Sequence, residues 1–458
     1  MTSPLTPACA ALLAPIIQQF QERVNEFFAT VTPQPAATLA DWETAAYQIG
    51  QDAAAALMQA AVEQARQQRE TAPTPPRCPC GAPLQYKGTF ARTLQTRVGL
   101  LRLRRGYYYC RACHQGRYLL DAALGLAPGQ FSAGVQQGVC RLGAELPFER
   151  AAATWTALTG IAISPREVAR LTEARGTALD AARRTQATRA LQDGTLGAPD
   201  AGVGRRPRGA GIWAVALDAA RVCFRDDWHE VKAGVVCWAT SSPGPARGRR
   251  REVQATAPSY MVYTGAMERA GERLYAEALR RGIDPASERV VCLGDGAPSI
   301  WQQFATHFPQ RVEVLDWYHA LEHLWAAGNG LFGEGTAGAQ AWVAAREAEL
   351  WAGQVGAVQA ALRGAAAAPG GAAAGAQEHY FATNAGRMDY ARYRAAGYPV
   401  GSGVVESACK RVVGGRAKGA GMRWSTAGVQ AVLTLRAELL SGRWDASWAE
   451  TDALPKAA

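Results

Sequence analysis

The stretch RVVCLGDGAPSIWQQFATHFPQRVEVLDWYHALEH, from Arg289 to His323, decides the fold. Val290 and Val291 open a short apolar run that stops at Gly294-Asp295-Gly296, and a helical pattern follows. An apolar run bounded by glycines and followed by helical periodicity is a buried strand feeding a helix. Asp295 then stands at the carboxyl end of a central strand, where ligands and metals gather in open α/β sheets. A second strand, Val312 to Asp316, ends on its own carboxylate and runs into another helix. A carboxylate at a strand tip among glycines suits a cation. The plainer alternative is that Asp295 only caps the helix after it.

Upstream, the pattern is of strands. WAVALDAARVCF alternates around Asp218, the loop RDDWHE follows, and VKAGVVCWATS completes an antiparallel hairpin. A basic loop (246–252) leads to a third strand ending at Tyr263, then a helix from about Ala266 to Arg281, then the strand that ends in Asp295. The expected class is α/β, with a mixed sheet and helices on both faces in the ribonuclease-H-like order. In that order the first and fourth strands are neighbours, so Asp218 and Asp295 meet. Asp226, Asp227 and His229 fall in the hairpin loop and are expected to be solvated.

The remaining chain divides around this core, taken as 209–320. Residues 1–70 are helical in pattern, an N-terminal arm or dimerisation region with a break at Thr32 to Pro35. The module 71–125 begins with a Pro-rich linker and carries Cys78-x-Cys80 and Cys110-x-x-Cys113 on either side of a hairpin pattern. Paired thiols at that spacing are the ligands of a tetrahedral zinc, as in a zinc ribbon. The first knuckle is one residue short, so His114 is a candidate substitute. Residues 126–208 hold a helix, the turn Thr159 to Ile163, a second helix opened by Ser164-Pro165-Arg166-Glu167, and a basic linker from Arg183. That outline fits a helix-turn-helix, with Arg166 and Arg170 facing the major groove. Residues 321–395 are an α-helical insertion in which the run 364–377 is expected to be a flexible loop. Residues 396–450 bring Gly401-Ser402-Gly403, Glu406 and the basic run Lys410, Arg411, Arg416, Lys418 and Arg423, then a packing helix.

The 458 residues carry 49 Lys and Arg against 39 Asp and Glu, a net charge of +10. Such a surplus favours a polyanionic partner, double-stranded DNA first. Only five of the cations are Lys, and Arg suits bidentate phosphate contacts, although the many Ala and Gly residues point to codon bias as the larger cause. The cysteine pattern favours a metal site in a reducing compartment over a disulfide framework. No stretch is apolar enough to span a membrane. The expected location is the cytoplasm, in association with the nucleoid.

With these residues in hand, the chain resembles the DDE transposases of ISKra-type insertion sequences. The matching motifs are YYYCRACHQGRYLLDAALGL, GDGAPSIWQQFATHFPQRVEVLDWYHALEHLW and GSGVVESACKRVVGGRAKGAGMRWS, with LRAELLSGRWD after it. The resemblance implies a ribonuclease-H-like catalytic domain in which Asp218, Asp295 and Glu406 are the catalytic acids. They would hold two Mg²⁺ ions, replaceable by Mn²⁺, for cutting element ends and joining the 3′-hydroxyls to target DNA. A homodimer or larger assembly at synapsis is expected, with Lys410, Arg411, Arg416, Lys418, Arg423 and His319 on the DNA. Asp316, His319 and His323 share one helical face; a contact to the scissile strand and simple helix capping both remain open. A domesticated, catalytically silent DNA-binding descendant is the alternative function.

Overall fold

The computed structural model describes residues 7–34, 36–70, 76–196, 210–242, 252–367, 371–401, 403 and 408–453. Glu406 and Ser402 lie outside the described residues, as does most of the basic loop 246–252. Two compact units emerge: Met1–Cys140 with Ala152–Ser164, and Arg141–Ala151 with Pro165–Ala458.

In the first unit, helices α1 (Pro7–Glu26) and α2 (Leu39–Glu70) are separated by a π-helical turn, Phe27–Val31. A hairpin follows, β1 (Gln85–Thr96) and β2 (Gly99–Tyr109), with a short β3 (Gly116–Tyr118) against β2 and a helix α3 (Leu119–Ala123). The register Thr96↔Gly99 leaves only Arg97 and Val98 in the turn, and Gly99 takes φ 126°, which a side chain rarely tolerates. Strand alternation sorts the hairpin. Leu101, Leu103 and Arg105 point inward, and Arg102 and Arg104 outward. Arg105 is therefore structural: it pairs with Asp121 at 2.5 Å and lies over the Tyr118 ring. Helices α4 (Ala133–Glu145) and α5 (Phe148–Thr159) cross the boundary between the units.

The second unit begins with α6 (Pro165–Asp193). The boundary at Ser164 falls inside the expected helix-turn-helix. Both helices are present, but α6 runs 29 residues and packs on the helix Thr426–Leu440. A Cβ on Gly176 would sit 2.2 Å from the Ala431 carbonyl oxygen, so the two backbones touch there. The expected basic linker from Arg183 is corrected: helix continues to Asp193, because Arg183 pairs with Glu438 at 2.6 Å and Glu450 at 2.8 Å.

The sheet of this unit contains β4 (Ile212–Cys223), β5 (Trp228–Ser242), β6 (Glu252–Tyr263), β7 (Val290–Gly294) and β8 (Arg311–Leu315), in the spatial order β6-β5-β4-β7-β8. The pairs β4–β5 and β5–β6 are antiparallel; β4–β7 and β7–β8 are parallel. Every residue of β7 is buried, as a strand covered on both faces must be. Helices α7 (Met267–Arg280), α8 (Pro298–His307) and α9 (Trp317–Phe332) alternate with these strands. After α9 come α10 (Ala337–Trp351), α11 (Val355–Ala366), α12 (Ala372–Asn384) and α13 (Tyr390–Ala395). Of the run 364–377, residues 364–366 and 372–377 are helix, which confines the expected loop to the connection between α11 and α12, where 368–370 lie outside the described residues. Alanine is the best helix former, and Ala374 is buried. A π-helical segment, Cys409–Gly414, then leads to α14 (Thr426–Leu440) and α15 (Trp444–Ala453).

Candidate active site and cysteine cluster

The parallel register sets the geometry at the sheet edge. Ala216 pairs with Leu293, so Asp218 and Asp295, each two residues further on, stand level at the carboxyl ends of neighbouring strands. Gly294 pairs with Leu315, and the Asp316 N–H donates to the Gly294 carbonyl at 2.9 Å, which brings a third carboxylate to the same edge. Asp218 and Asp295 are half-buried, and Asp316 is buried. Burial, then the charge of Asp295, pushes the Asp218 carboxyl above its ordinary value against hydrogen bonds from the Ala219 N–H and the Cys409 thiol. The thiol donates to Asp218 Oδ2 at 3.4 Å. Cys409 follows Glu406 by three residues, and Glu406 itself cannot be placed among the described residues.

Asp295 also meets its plainer reading, since its Oδ1 accepts from the Ala297 N–H at 2.8 Å at the start of α8. Its carbonyl accepts from the Tyr380 hydroxyl at 2.7 Å. Gly296 between them has φ 105°, and a Cβ there would lie 2.6 Å from the Tyr380 ring. Tyr380 thus needs a glycine in front of it to reach the strand tip.

Asp316 caps α9 and accepts from His319 Nδ1 at 2.6 Å. That hydrogen bond, aided by the charges of Asp316 and Asp295, raises His319 to about 9, so the imidazolium persists at neutral pH. Capping and charge placement are therefore one arrangement. His323 departs from the expected trio: its Nδ1 lies 2.5 Å from Gln377 Oε1, and its ring stacks on Tyr380 at 3.5 Å. Tyr380, Gln377 and Cys409 escaped the sequence reading. Gln377 ends a run that looked like a loop and Tyr380 follows it, and Cys409 sat unremarked inside the GSGVVESACKR motif.

The basic residues separate. Lys410, Arg411, Lys418 and Arg423 are exposed, as are Arg166 and Arg170. Arg170 is bound to Glu167 on its own helix. Arg416 is corrected: it is 2% exposed, donates Nε to the Gly143 carbonyl at 2.9 Å and lies between Phe148 and Trp424. Burial lowers it to about 10, and its place is in the core. Asp226 and His229 pair with each other at the exposed hairpin tip, as expected of solvated groups.

In the first unit, the sulfurs of Cys78, Cys80, Cys110 and Cys113 all lie within 4.8 Å of one another. Cys78 and Cys113 are 3.5 Å apart, and Cys80 and Cys110 3.6 Å. A tetrahedron with Zn–S bonds of about 2.3 Å has edges of about 3.8 Å, so the four thiols fit a structural zinc. The Cys80 N–H pulls the Cys78 thiol down to about 6, and the Cys113 N–H lowers Cys110 in the same way. Gly81 at φ 90° closes the short knuckle, which supplies both its sulfurs despite the missing residue. His114 does not substitute; its Nδ1 lies 3.0 Å from the Tyr109 hydroxyl.

Neither known protein families nor curated proteins place the chain: no family model matches it, and no curated protein does. Among the described residues, no helix is long and apolar enough to cross a membrane.

Proposed function

We infer that this protein is a DNA transposase with a ribonuclease-H-like catalytic domain, a zinc-ribbon-like module and a metal-dependent phosphoryl-transfer centre. The observation that carries the reading is the level placement of Asp218 and Asp295 on adjacent parallel strands in a chain of net charge +10. The strand order β6-β5-β4-β7-β8, with two antiparallel and two parallel pairings, agrees with the ribonuclease-H-like arrangement. The resemblance to ISKra-type DDE transposases supports Glu406 as the third acid, and Cys409 beside Asp218 is consistent with it.

The donor set fits Mg²⁺. It is all oxygen, half-buried, and contains a carboxyl whose ionisation is opposed by burial first and by its neighbour's charge second, a penalty that a divalent cation would reduce. When bound, a pair of such ions activates the attacking oxygen and stabilises the leaving oxygen of an in-line displacement. The chain's own groups do the rest. Asp218 and Asp295 hold the metal side. Tyr380 fixes the Asp295 peptide through its carbonyl. Asp316 keeps His319 protonated, which places a cation beside the carboxylates for a DNA phosphate. Lys410, Arg411, Lys418 and Arg423 extend that positive surface along the duplex.

The test uses duplex DNA that carries the sequence flanking the reading frame. Asp295→Asn abolishes Mg²⁺- or Mn²⁺-dependent strand cleavage and leaves duplex binding intact. Undiminished cleavage by that variant rules the assignment out. Joining of the freed ends by a dimer or larger assembly is then read from the mass of the DNA-bound complex.

A further inference from the structure

In the first unit, helix α2 is flanked on two sides and bare on a third. Arg23 of α1 pairs with Asp52 at 3.1 Å, so α1 lies along one side. On another, Gln59 Nε2 donates to the Arg102 carbonyl at 3.0 Å and Gln59 Oε1 accepts from the Arg102 N–H at 3.1 Å, which fastens α2 to β2. The remaining sector carries Leu39, Glu43, Tyr47, Gly50 and Leu57, spaced by three, four and seven residues along one helical face and all exposed. Leu39 is 77% exposed, more than any other large apolar side chain among the described residues. Between residues 10 and 58 no described residue is buried. An apolar face left uncovered in this way marks a contact with another molecule.

The same sector ends at a groove. Met58, Val62, Leu101, Leu103 and Leu126 line an apolar cavity of about 320 Å³ with Arg97 at its edge. Leu39 and Leu57 stand about five helical turns apart, roughly 27 Å, and so point the same way. The face thus holds a projecting leucine at one end and an apolar hollow at the other. The two fit one another when a second chain lies antiparallel on the first. In a two-fold contact residue i meets j and j meets i. Setting Leu39 of each copy on Met58 of the other also sets Tyr47 of each over Gly50 of the other, close to the axis. Tyr47 is 53% exposed, and a Cβ added at Gly50 meets no atom within 4 Å, so the glycine leaves room for the ring. Charge agrees with this setting. Glu43 follows Leu39 by one turn and Arg97 borders the groove; both are exposed, and among the described residues neither forms an ion pair. Antiparallel pairing brings each Glu43 toward the Arg97 of the other copy. Residues 1–70 hold seven acids against three bases in a chain of net charge +10, which turns this arm away from DNA and from an anionic membrane.

We propose that two copies of this chain form a symmetric dimer without DNA through antiparallel α2 helices, with Leu39 of each copy in the groove at Met58 of the other and Tyr47 of each over Gly50 of the other. The proposal stands apart from the DNA-cleaving reading, which asks only for assembly on DNA.

The experiment is sedimentation velocity on the full-length, zinc-supplied protein free of DNA, up to about 100 µM, where any dimer of micromolar Kd forms. The unaltered protein sediments with twice the mass of one chain. Leu39→Glu and Gly50→Leu each weaken the dimer about tenfold or more. Both positions face solvent in the single chain, so circular dichroism shows no loss of helix in either variant. Glu43→Arg and Arg97→Glu each weaken the dimer about threefold, and the two combined in one chain restore it. A protein that stays monomeric until DNA is added overturns the proposal, as does a dimer indifferent to both Leu39→Glu and Gly50→Leu. A monomer that floats with phosphatidylglycerol vesicles, and no longer does so as Leu39→Glu, makes a lipid surface the occupant and overturns it too. In each case cleavage by the unaltered protein, and its loss in Asp295→Asn, decides the DNA-cleaving reading separately.

Discussion

Two groups of carboxylates in the second unit, one buried and one half-buried, are built on opposite terms. Between α7, α14 and the turn before α15, Glu277 and Glu438 sit among Arg183, Arg280 and Arg443. Burial alone would raise both acids, but Arg443 and its fellow arginines outweigh it and hold both carboxyls below their ordinary value. At the sheet edge the balance is reversed. Among the described residues, neither Asp218 nor Asp295 forms an ion pair; their direct hydrogen bonds come from backbone N–H groups and one thiol. Asp218 is accordingly raised. The contrast teaches how to tell structural acids from functional ones. A fold that needs a buried carboxylate for cohesion brings arginines to it; under the proposed function a site that takes its cation from solution keeps arginines away, and the cation the chain supplies at this edge is His319, paired with Asp316. The four clustered thiols follow the second rule.

The widest expected effect tests that extension. The expected outcome is one zinc per chain when the purified protein is submitted to elemental analysis. Chelation or Cys110→Ser removes metal binding worth on the order of 10 kcal/mol and melts the hairpin module, seen as lost hydrogen-exchange protection in β1 and β2. A metal-free protein with full protection there breaks the parallel between thiols and sheet-edge acids. Next in size, Asp295→Asn lowers metal-dependent cleavage on the order of a thousandfold or more, with the melting temperature unchanged. Arg443→Ala does the opposite. It takes from Glu277 and Glu438 the arginine they share, leaving Arg183 and Arg280 to offset two buried charges, and costs about 3–5 kcal/mol in denaturant titration. A silent Arg443→Ala erases the distinction between the two groups.

Smaller effects sharpen the same contrast through pH. Asp218 has a folded pKa above its unfolded one. The stability tied to its protonated form is therefore present at acid pH and is lost as pH rises through the folded value. Asp218→Asn removes that loss and raises stability at neutral pH by up to about 1 kcal/mol. His319 is raised to about 9, so its stabilising charge is fully present below the unfolded value of about 6.5 and disappears as pH passes through about 9. His319→Gln flattens that alkaline limb, measured by melting temperature from pH 7 to about 10. A limb that persists in the variant assigns the cation to another residue.

Much of the sheet was legible in order along the chain. Val290 to Leu293 is short, apolar and closed by glycine, and no helix fits such a run. Asp218 was legible because it interrupts an otherwise apolar strand. The linker from Arg183 misled, because basic, polar residues look solvated until Glu438 and Glu450 are brought to them from more than 250 positions away. Arg416 misled in the same way: within the basic run nothing marks it as the one that Phe148 and Trp424 enclose. Tyr380 had no local signature at all, since its meaning is a contact with a carbonyl 85 residues earlier.

The sequence by itself determined the strands, the acids at their tips, the spacing of the four thiols and the sign of the surface charge. Those properties are written in local periodicity and composition, which neighbours along the chain suffice to express. Only the tertiary structure decided which charges are paired. The parallel register of β4 and β7 sets Asp218 level with Asp295, and the packing of α6 on α14 withdraws Arg183 from solvent. Ionisation depends on what surrounds a group in space, and that is assembled from segments that do not know of each other until the chain has folded.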